Sequence, residues 1–150
     1  MLIGQHSGKL TQKGRLALPK KVRSEIGSKA IVARWYEGCF VVVSPDRWQA
    51  LLEKLTARSE FITEPVRDTD RFILGSAYEV ELDDQGRFVV PGMLRQYAGL
   101  KNEVIFLGLG DRVEVWDKET WLKRESLIQK RASIILEKVA KENGNTNKDS

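Results

Sequence analysis

Cysteine and histidine are almost missing from this chain of 150 residues, which has one of each, Cys39 and His6. A lone cysteine closes no internal disulfide, and secreted chains of this size more often carry cysteines in pairs, so a reducing cytoplasm is expected. Metal binding needs several converging ligands, and nucleophilic catalysis needs a nucleophile beside its base; His6 and Cys39, 33 positions apart, offer neither. Both are expected to be structural. No stretch approaches the ~18 uninterrupted apolar residues of a membrane span. The N-terminus turns polar at Gln5 and His6 before a signal-peptide core forms, so neither insertion nor export is expected. No charge of one sign dominates, with 25 Lys and Arg against 21 Asp and Glu and a net of +4. No glycine-rich phosphate loop occurs, and the adjacent carboxylates Asp83 and Asp84 point to opposite faces if they lie on a strand. These absences argue against an enzyme, a cofactor, a metal or a small-molecule substrate. The 41% hydrophobic content is sufficient for a globular fold, because a chain of this length buries roughly two-thirds of its unfolded surface.

What the chain does contain is an internal repeat. KLTQKGRLALPKKVRSEIG, residues 9–27, lies over ELDDQGRFVVPGMLRQYAG, residues 81–99, at a constant offset of 72. Six of nineteen positions are identical, among them Gly14 with Gly86, Arg15 with Arg87, Pro19 with Pro91, Arg23 with Arg95 and Gly27 with Gly99. Ordinary composition would give about one. The similarity resumes at offset 73, where Phe40, Val42 and Trp48 match Val113, Val115 and Trp121.

Both copies have the same local signals. A strand enters a turn in which Gly14 or Gly86 supplies positive φ, and an alternating strand leaves it as Arg15–Leu16–Ala17–Leu18 or Arg87–Phe88–Val89–Val90. Pro19 or Pro91 ends that strand and admits a short helix, which Gly27 or Gly99 stops. Two further strands follow, at 30–35 and 40–43 in copy one and at 103–107 and 112–116 in copy two, and then a helix with Ser44 or Asp117 as its N-cap. Trp48 and Trp121 should face inward. A ββαββα unit of about 45 residues without disulfide or metal scarcely builds its own core, so the copies should fold together as an intramolecular pseudo-dimer.

The expected fold class is therefore α+β: two units forming one pseudo-twofold, β-barrel-like domain. Its parts are repeat 1 at 5–50, a linker at 51–77 with a helix from Thr63 or Pro65, repeat 2 at 78–121, a C-terminal helix at 122–143 and a frayed tail at 144–150. The linker helix should bury Val66, Phe72, and Ile73 or Leu74, and the C-terminal helix has an apolar stripe of Trp121, Ile128, Ala132, Ile135 and Val139.

The strand, QKGR or DQGR turn, strand, proline and short helix resemble the swapped-hairpin DNA-binding module of the SpoVT-AbrB type, and two copies in one chain resemble the MraZ family. The family signature is Asp-x-Lys-Gly-Arg in the first copy and Asp-x-x-Gly-Arg in the second, each followed by Pro. Copy two matches through Asp83, Gly86, Arg87 and Pro91, whereas copy one keeps Lys13, Gly14, Arg15 and Pro19 but has Thr11 in place of Asp. Leu94–Leu100, Glu103–Gly108 and Glu114–Asp117 continue the likeness, which extends to about residue 125. The resemblance implies a swapped-hairpin fold and a ring-like homo-oligomer. It further implies a DNA-binding transcriptional regulator, cytoplasmic and nucleoid-associated, that represses the division and cell-wall gene cluster through short direct repeats of double-stranded promoter DNA.

Charge distinguishes the copies. Residues 1–29 hold seven cations, Lys9, Lys13, Arg15, Lys20, Lys21, Arg23 and Lys29, against Glu25, for a net of +6, which leaves −2 for the rest. From Glu79 to Leu100, four acids, Glu79, Glu81, Asp83 and Asp84, face only Arg87 and Arg95. Phosphate neutralisation dominates nonspecific affinity, so copy one is the expected DNA contact. Arg15 is the candidate for bidentate pairing with guanine. Lys13, with Gly14 in the turn, and Lys9 on the entering strand would hold phosphate, supported by Lys20 and Lys21. Arg23 and Arg95 occupy equivalent places although only one copy is basic, which favours an internal carboxylate pair for each over DNA contact. Arg87 stays open between a subunit contact and DNA. Thr11 leaves the first turn less rigidly shaped and more attractive to phosphate than an Asp would. The Trp35–Tyr36 loop, the copy-two surface and the C-terminal helix are candidate interfaces between subunits. Two readings compete: a double-ψ-like barrel acting as a protein-interaction adaptor, and an AbrB-type antitoxin, which usually has one copy and a disordered toxin-binding tail.

Overall fold

The computed structural model describes residues 1–56 and 63–148. The elements run β1 (Leu2–Lys9), β2 (Arg15–Ala17), α1 (Lys20–Ile26), β3 (Lys29–Arg34), β4 (Phe40–Val43), α2 (Pro45–Thr56) and α3 (Glu64–Ile73). They continue as β5 (Tyr78–Glu81), β6 (Arg87–Val89), α4 (Gly92–Tyr97), β7 (Glu103–Gly110), β8 (Val113–Asp117) and α5 (Lys118–Lys148). Two compact units result, Met1–Lys118 and Glu119–Ser150.

In the first unit the copies exchange strands. The six-stranded antiparallel sheet has the order β1-β7-β8-β4-β3-β5, and a separate ribbon pairs β2 with β6. Replacing every strand by its counterpart in the other copy reverses the order and leaves it unchanged, the expected pseudo-twofold. The first strand of each copy therefore pairs with the third strand of the other: β1 lies on β7, and β5 on β3. Counterparts face each other at two places, Leu16 opposite Phe88 in the ribbon and Val41 opposite Glu114 at the centre of the large sheet. The pseudo-axis passes through both pairs. Leu10 N–H donates to Asn102 C=O at 2.7 Å and Leu82 N–H to Ser28 C=O at 2.9 Å. Asn102 is thus the counterpart of Ser28 at a spacing of 74, so the slip after the short helix is two residues, one of which is recovered before β8.

The strand alternation produces the core. Leu16, Leu18, Phe88 and Val90 enter it from the two turn-exit strands, Val22, Ile26 and Leu94 from α1 and α4, and Phe40, Val42, Phe106 and Val115 from the large sheet. Neither copy owns this cluster, as expected of units too small to form independent cores.

The connecting elements keep most of the expected boundaries. Ser44 Oγ accepts the Arg47 N–H at 3.3 Å, the N-cap bond expected at the start of α2, and Trp48 is half-buried. Helix α3 begins after Thr63 with Pro65 in its first turn. It buries Ile73 and leaves Leu74 exposed, with Val66 and Phe72 half-buried. Its C-terminal end is tied to β3: Arg34 Nε donates to Phe72 C=O at 2.9 Å, its guanidinium lies 4.5 Å from the Phe72 ring centroid, and Arg34 N–H donates to Ser76 Oγ at 2.8 Å. The remainder of the linker, residues 57–62, lies outside the described residues.

The second unit corrects the tail. Instead of ending at 143, α5 continues to Lys148. It contains no proline, and a single Gly144 costs only about 1 kcal/mol relative to Ala, too little to stop a helix of 31 residues. Trp121 is buried, while Ile128, Ile135 and Val139 of the apolar stripe are exposed.

Gly86 is the tightest point of the exchange. Its φ is +73°, and a Cβ there would lie 2.1 Å from Arg23 Cδ and 2.7 Å from Arg23 Cγ. The counterpart Gly14, at φ +76°, would bring its Cβ only to 3.4 Å from the Arg95 guanidinium. Gly86→Ala is expected to lower unfolding free energy in a denaturant melt by ~1–3 kcal/mol, more than Gly14→Ala, because a clash adds to the strain of positive φ. Combining Gly86→Ala with Arg23→Ala should cost less than the sum of the two, since one clash partner is gone.

Candidate nucleic-acid interface

The two turns share a backbone and differ in one side chain. In copy one Gly14 N–H donates to Thr11 C=O at 2.9 Å and Thr11 N–H to Arg15 C=O at 3.0 Å; in copy two Gly86 N–H donates to Asp83 C=O at 2.9 Å and Asp83 N–H to Arg87 C=O at 3.0 Å. Asp83 then makes three further bonds. Its Oδ1 accepts from Gln85 N–H and Arg87 N–H, each at 2.9 Å, and its Oδ2 accepts from Arg87 Nε at 2.8 Å. Thr11 reproduces one of these, its Oγ1 accepting the Arg15 N–H at 3.1 Å. A hydroxyl has no charge to pair with a guanidinium, and Arg15 has no ion-pair partner among the described residues. The Arg87 backbone N–H, helped by the Arg87 side chain and the Gln85 N–H, holds the Asp83 carboxyl below its ordinary value of 3.8.

The ribbon brings these arginines together. Arg15 stands opposite Val89 and Ala17 opposite Arg87, while Leu16 and Phe88 between them point into the core. By the period of two, Arg15, Ala17, Arg87 and Val89 share the outer face. Arg15, Ala17 and Val89 are exposed and Arg87 half-buried. Arg15, Asp83, Arg87 and Phe88 also line one shallow depression. The two-stranded ribbon is thus built from one strand of each copy, not from the strands flanking a single turn. Exchange of strands between similar segments leaves no local pattern, which is why sequence reasoning separated Arg15 from Arg87.

The other expected contacts lie in the first turn, the large sheet and the first helix. Lys13 is exposed in the turn beside the buried Gly14. Lys9 is exposed at the end of β1, in the large sheet and opposite Glu103. Lys20 and Lys21 are exposed at the start of α1, immediately after the ribbon strand. Arg23 has another task. Its Nε donates to Leu18 C=O at 2.9 Å and its aliphatic stem covers Gly86, so the expected carboxylate pair is replaced by a backbone carbonyl and the opposite turn. Of the acids in copy two, Glu79 pairs with Lys29 at 3.6 Å.

Away from the ribbon, Trp35 is buried, with the Arg112 guanidinium 5.4 Å from its ring centroid, so of the two aromatic residues in that loop Tyr36 is the exposed one. Arg112 Nε donates to Glu114 Oε2 at 3.3 Å and Trp116 Nε1 to Glu114 Oε1 at 3.0 Å, which satisfies a carboxylate buried on the pseudo-axis. No sequence signal singled out this cluster. Cys39 is buried, its thiol donates to Tyr36 C=O at 3.3 Å, and burial pushes its pKa far up, as befits a structural residue.

The fold and site define a class: a tandem swapped-hairpin protein in which two turns, one cationic and one acid-clamped, present paired arginines on a shared ribbon. The family described as "MraZ protein, putative antitoxin-like" matches residues 1–72 and again residues 73–142, so the chain belongs to the MraZ family. It is 40% identical over 121 residues to the transcriptional regulator MraZ of Syntrophomonas wolfei, covering 81% of this chain and 84% of that protein. It is 35% identical over 147 residues to the protein of the same name from Caldanaerobacter subterraneus subsp. tengcongensis, covering 98% and 99%. For that of Acetivibrio thermocellus the identity is 37% over 140 residues, covering 93% and 97%.

A carboxylate whose pKa is depressed on folding stabilises above its unfolded pKa, and that contribution disappears as pH falls through the folded value. Asp83→Asn should therefore reduce the acid-side slope of stability against pH, measured by thermal melts below pH 5. In NMR titrations Asp83 is expected to titrate below the ordinary aspartate range. Thr11→Asp should introduce a second carboxylate that does the same.

Proposed function

We propose that this protein is a sequence-specific, double-stranded DNA-binding transcriptional regulator without catalytic activity. In this reading it acts in the cytoplasm and nucleoid, and represses the division and cell-wall gene cluster from short direct repeats in its promoter. The observation that carries this reading is the first turn, where Arg15 is exposed, without an ion-pair partner among the described residues, and beside the exposed Lys13. The names of the relatives and the +6 charge of residues 1–29 support it.

A two-stranded ribbon has the width to enter the major groove, where an arginine pairs bidentately with guanine O6 and N7. Arg15 on the outer face takes that role. Lys13 and the Gly14 turn meet the flanking phosphates, with Lys9, Lys20 and Lys21 lending longer-range attraction. The tether of Arg23 to Leu18 makes it a support of the turns rather than a contact. Three or four cations bind weakly alone, so several ribbons in a ring-like homo-oligomer acting on repeated sites supply affinity through multivalency.

Fluorescence anisotropy with a promoter fragment and a scrambled duplex, at several salt concentrations, tests this. Arg15→Ala should cost ~1–3 kcal/mol of binding on the specific duplex and little on the scrambled one. Lys13→Glu should weaken both duplexes alike and flatten the dependence on salt. Undiminished specific affinity in Arg15→Ala would remove Arg15 from the assignment.

A further inference from the structure

Helix α5 leaves apolar surface uncovered. Leu127, Ile128, Ile134, Ile135, Leu136 and Val139 are each 36–69% exposed. A single exposed leucine is ordinary on any protein, but this many large apolar side chains within a few turns of one helix form a patch of the kind that marks an interaction surface. At about 100° per residue, Ile128, Ala132, Ile135 and Val139 fall on one line, at the a and d positions of a seven-residue repeat. Glu125 and Glu142 occupy the next positions of that line on either side. The apolar stripe is therefore bounded, and at a rise of 1.5 Å per residue it is about 17 Å long, or three turns.

The charges beside the stripe are unequal. Arg124, Arg131 and Lys138, all exposed, recur every seven residues along one border, at the g positions. Gln129, Leu136 and Asn143 recur along the other, at the e positions. Glu137 lies on the opposite side of the helix, with Lys141 3.8 Å from it. One border is thus cationic and the other neutral.

This inequality decides what fits the stripe. A second α5 packed antiparallel would put g beside g, and so three cations beside three cations. Packed parallel, it would set each cation against a glutamine, leucine or asparagine and leave all of them unpaired. A membrane surface is a poor match as well, because Glu125 and Glu142 would be pressed toward the lipid at both ends of the apolar line.

We infer that the stripe from Ile128 to Val139 docks an amphipathic helix of another protein, apolar at its a and d positions and acidic along the border that meets Arg124, Arg131 and Lys138. Burial of the stripe supplies affinity, and the cation row selects the partner. Leu127 and Ile134, on the far side of that row, lend apolar contact to the aliphatic stems of the cations. None of these residues belongs to the ribbon, so docking is a second activity alongside the proposed DNA contact, and its test needs no DNA.

The test uses the full chain and two labelled synthetic peptides of about three heptads, with Leu and Ile at a and d and either Glu or Lys at e and g. In fluorescence anisotropy the Glu peptide should bind at least about tenfold more tightly than the Lys peptide, and the difference should shrink as salt is added. Arg131→Glu combined with Lys138→Glu should reverse the preference. Ile128→Ser combined with Ile135→Ser should abolish binding of the Glu peptide. Unchanged circular-dichroism melts exclude unfolding of either variant, and the comparison of the two peptides on the wild-type chain requires no variant. Equal affinity for the two peptides, or no reversal in the charge variant, overturns the inference. Flotation with phosphatidylglycerol vesicles while the Glu peptide fails to bind overturns it in favour of a membrane. A lower sedimentation mass for the Ile128→Ser, Ile135→Ser variant than for the wild type overturns it in favour of a second copy of the chain.

Discussion

The antiparallel pairing of each copy with the other is the constraint on which this structure depends. Leu16 opposite Phe88 closes the ribbon, and Val41 opposite Glu114 joins the halves of the large sheet. Because β1 lies on β7 and β5 on β3, no copy contains a complete sheet or a complete core. Separating the halves would expose Leu16, Leu18, Phe88 and Val90 together, so the turns that carry Arg15 and Arg87 are rigid only while both copies are in place. The site is a by-product of the exchange: it puts two turns from distant parts of the chain on one narrow ribbon.

Around this near-symmetric frame the small differences are informative. Both turns need positive φ and both have glycine, yet only Gly86 is filled from across by Arg23. Both need an acceptor for the arginine N–H, but Thr11 supplies a hydroxyl and Asp83 a carboxylate. From that exchange follows a guanidinium without an ion-pair partner among the described residues in one turn and a tethered one in the other. The +6 of residues 1–29 sharpens the contrast, since it places cations around the free arginine and leaves acids around the held one.

Much of this was legible in the sequence because it is written locally. The turn glycines, the strand alternation around Leu16 and Phe88, the prolines that open α1 and α4, and the Ser44 cap each act within a few residues. What was not legible arises between distant residues. Periodicity places Arg15 and Arg87 on outer faces but does not show that these are the same face, which needs the β2–β6 register. The Arg23 tether fails for a similar reason: a conserved-looking position across two copies suggests a shared partner, yet the partner is a backbone carbonyl that every residue has. The expected end of the last helix at 143 fails because a single Gly144 does not stop a long helix, whereas proline, absent from it, interrupts one decisively.

Covalent duplication explains why such differences can exist. In a homodimer of single-copy units any substitution in one turn occurs in both, so a free arginine cannot be paired with a tethered one. Fusing the copies lifts that identity while the shared core still enforces the twofold backbone, since Leu16, Phe88 and their neighbours pack equally well whichever side chain shapes the turn. A pseudo-symmetric ribbon of unlike halves has a direction, which an exact dimer lacks. Direction is what a subunit requires if successive copies are to meet successive sites in the same orientation, and it comes from a side-chain difference as small as threonine against aspartate at Thr11 and Asp83.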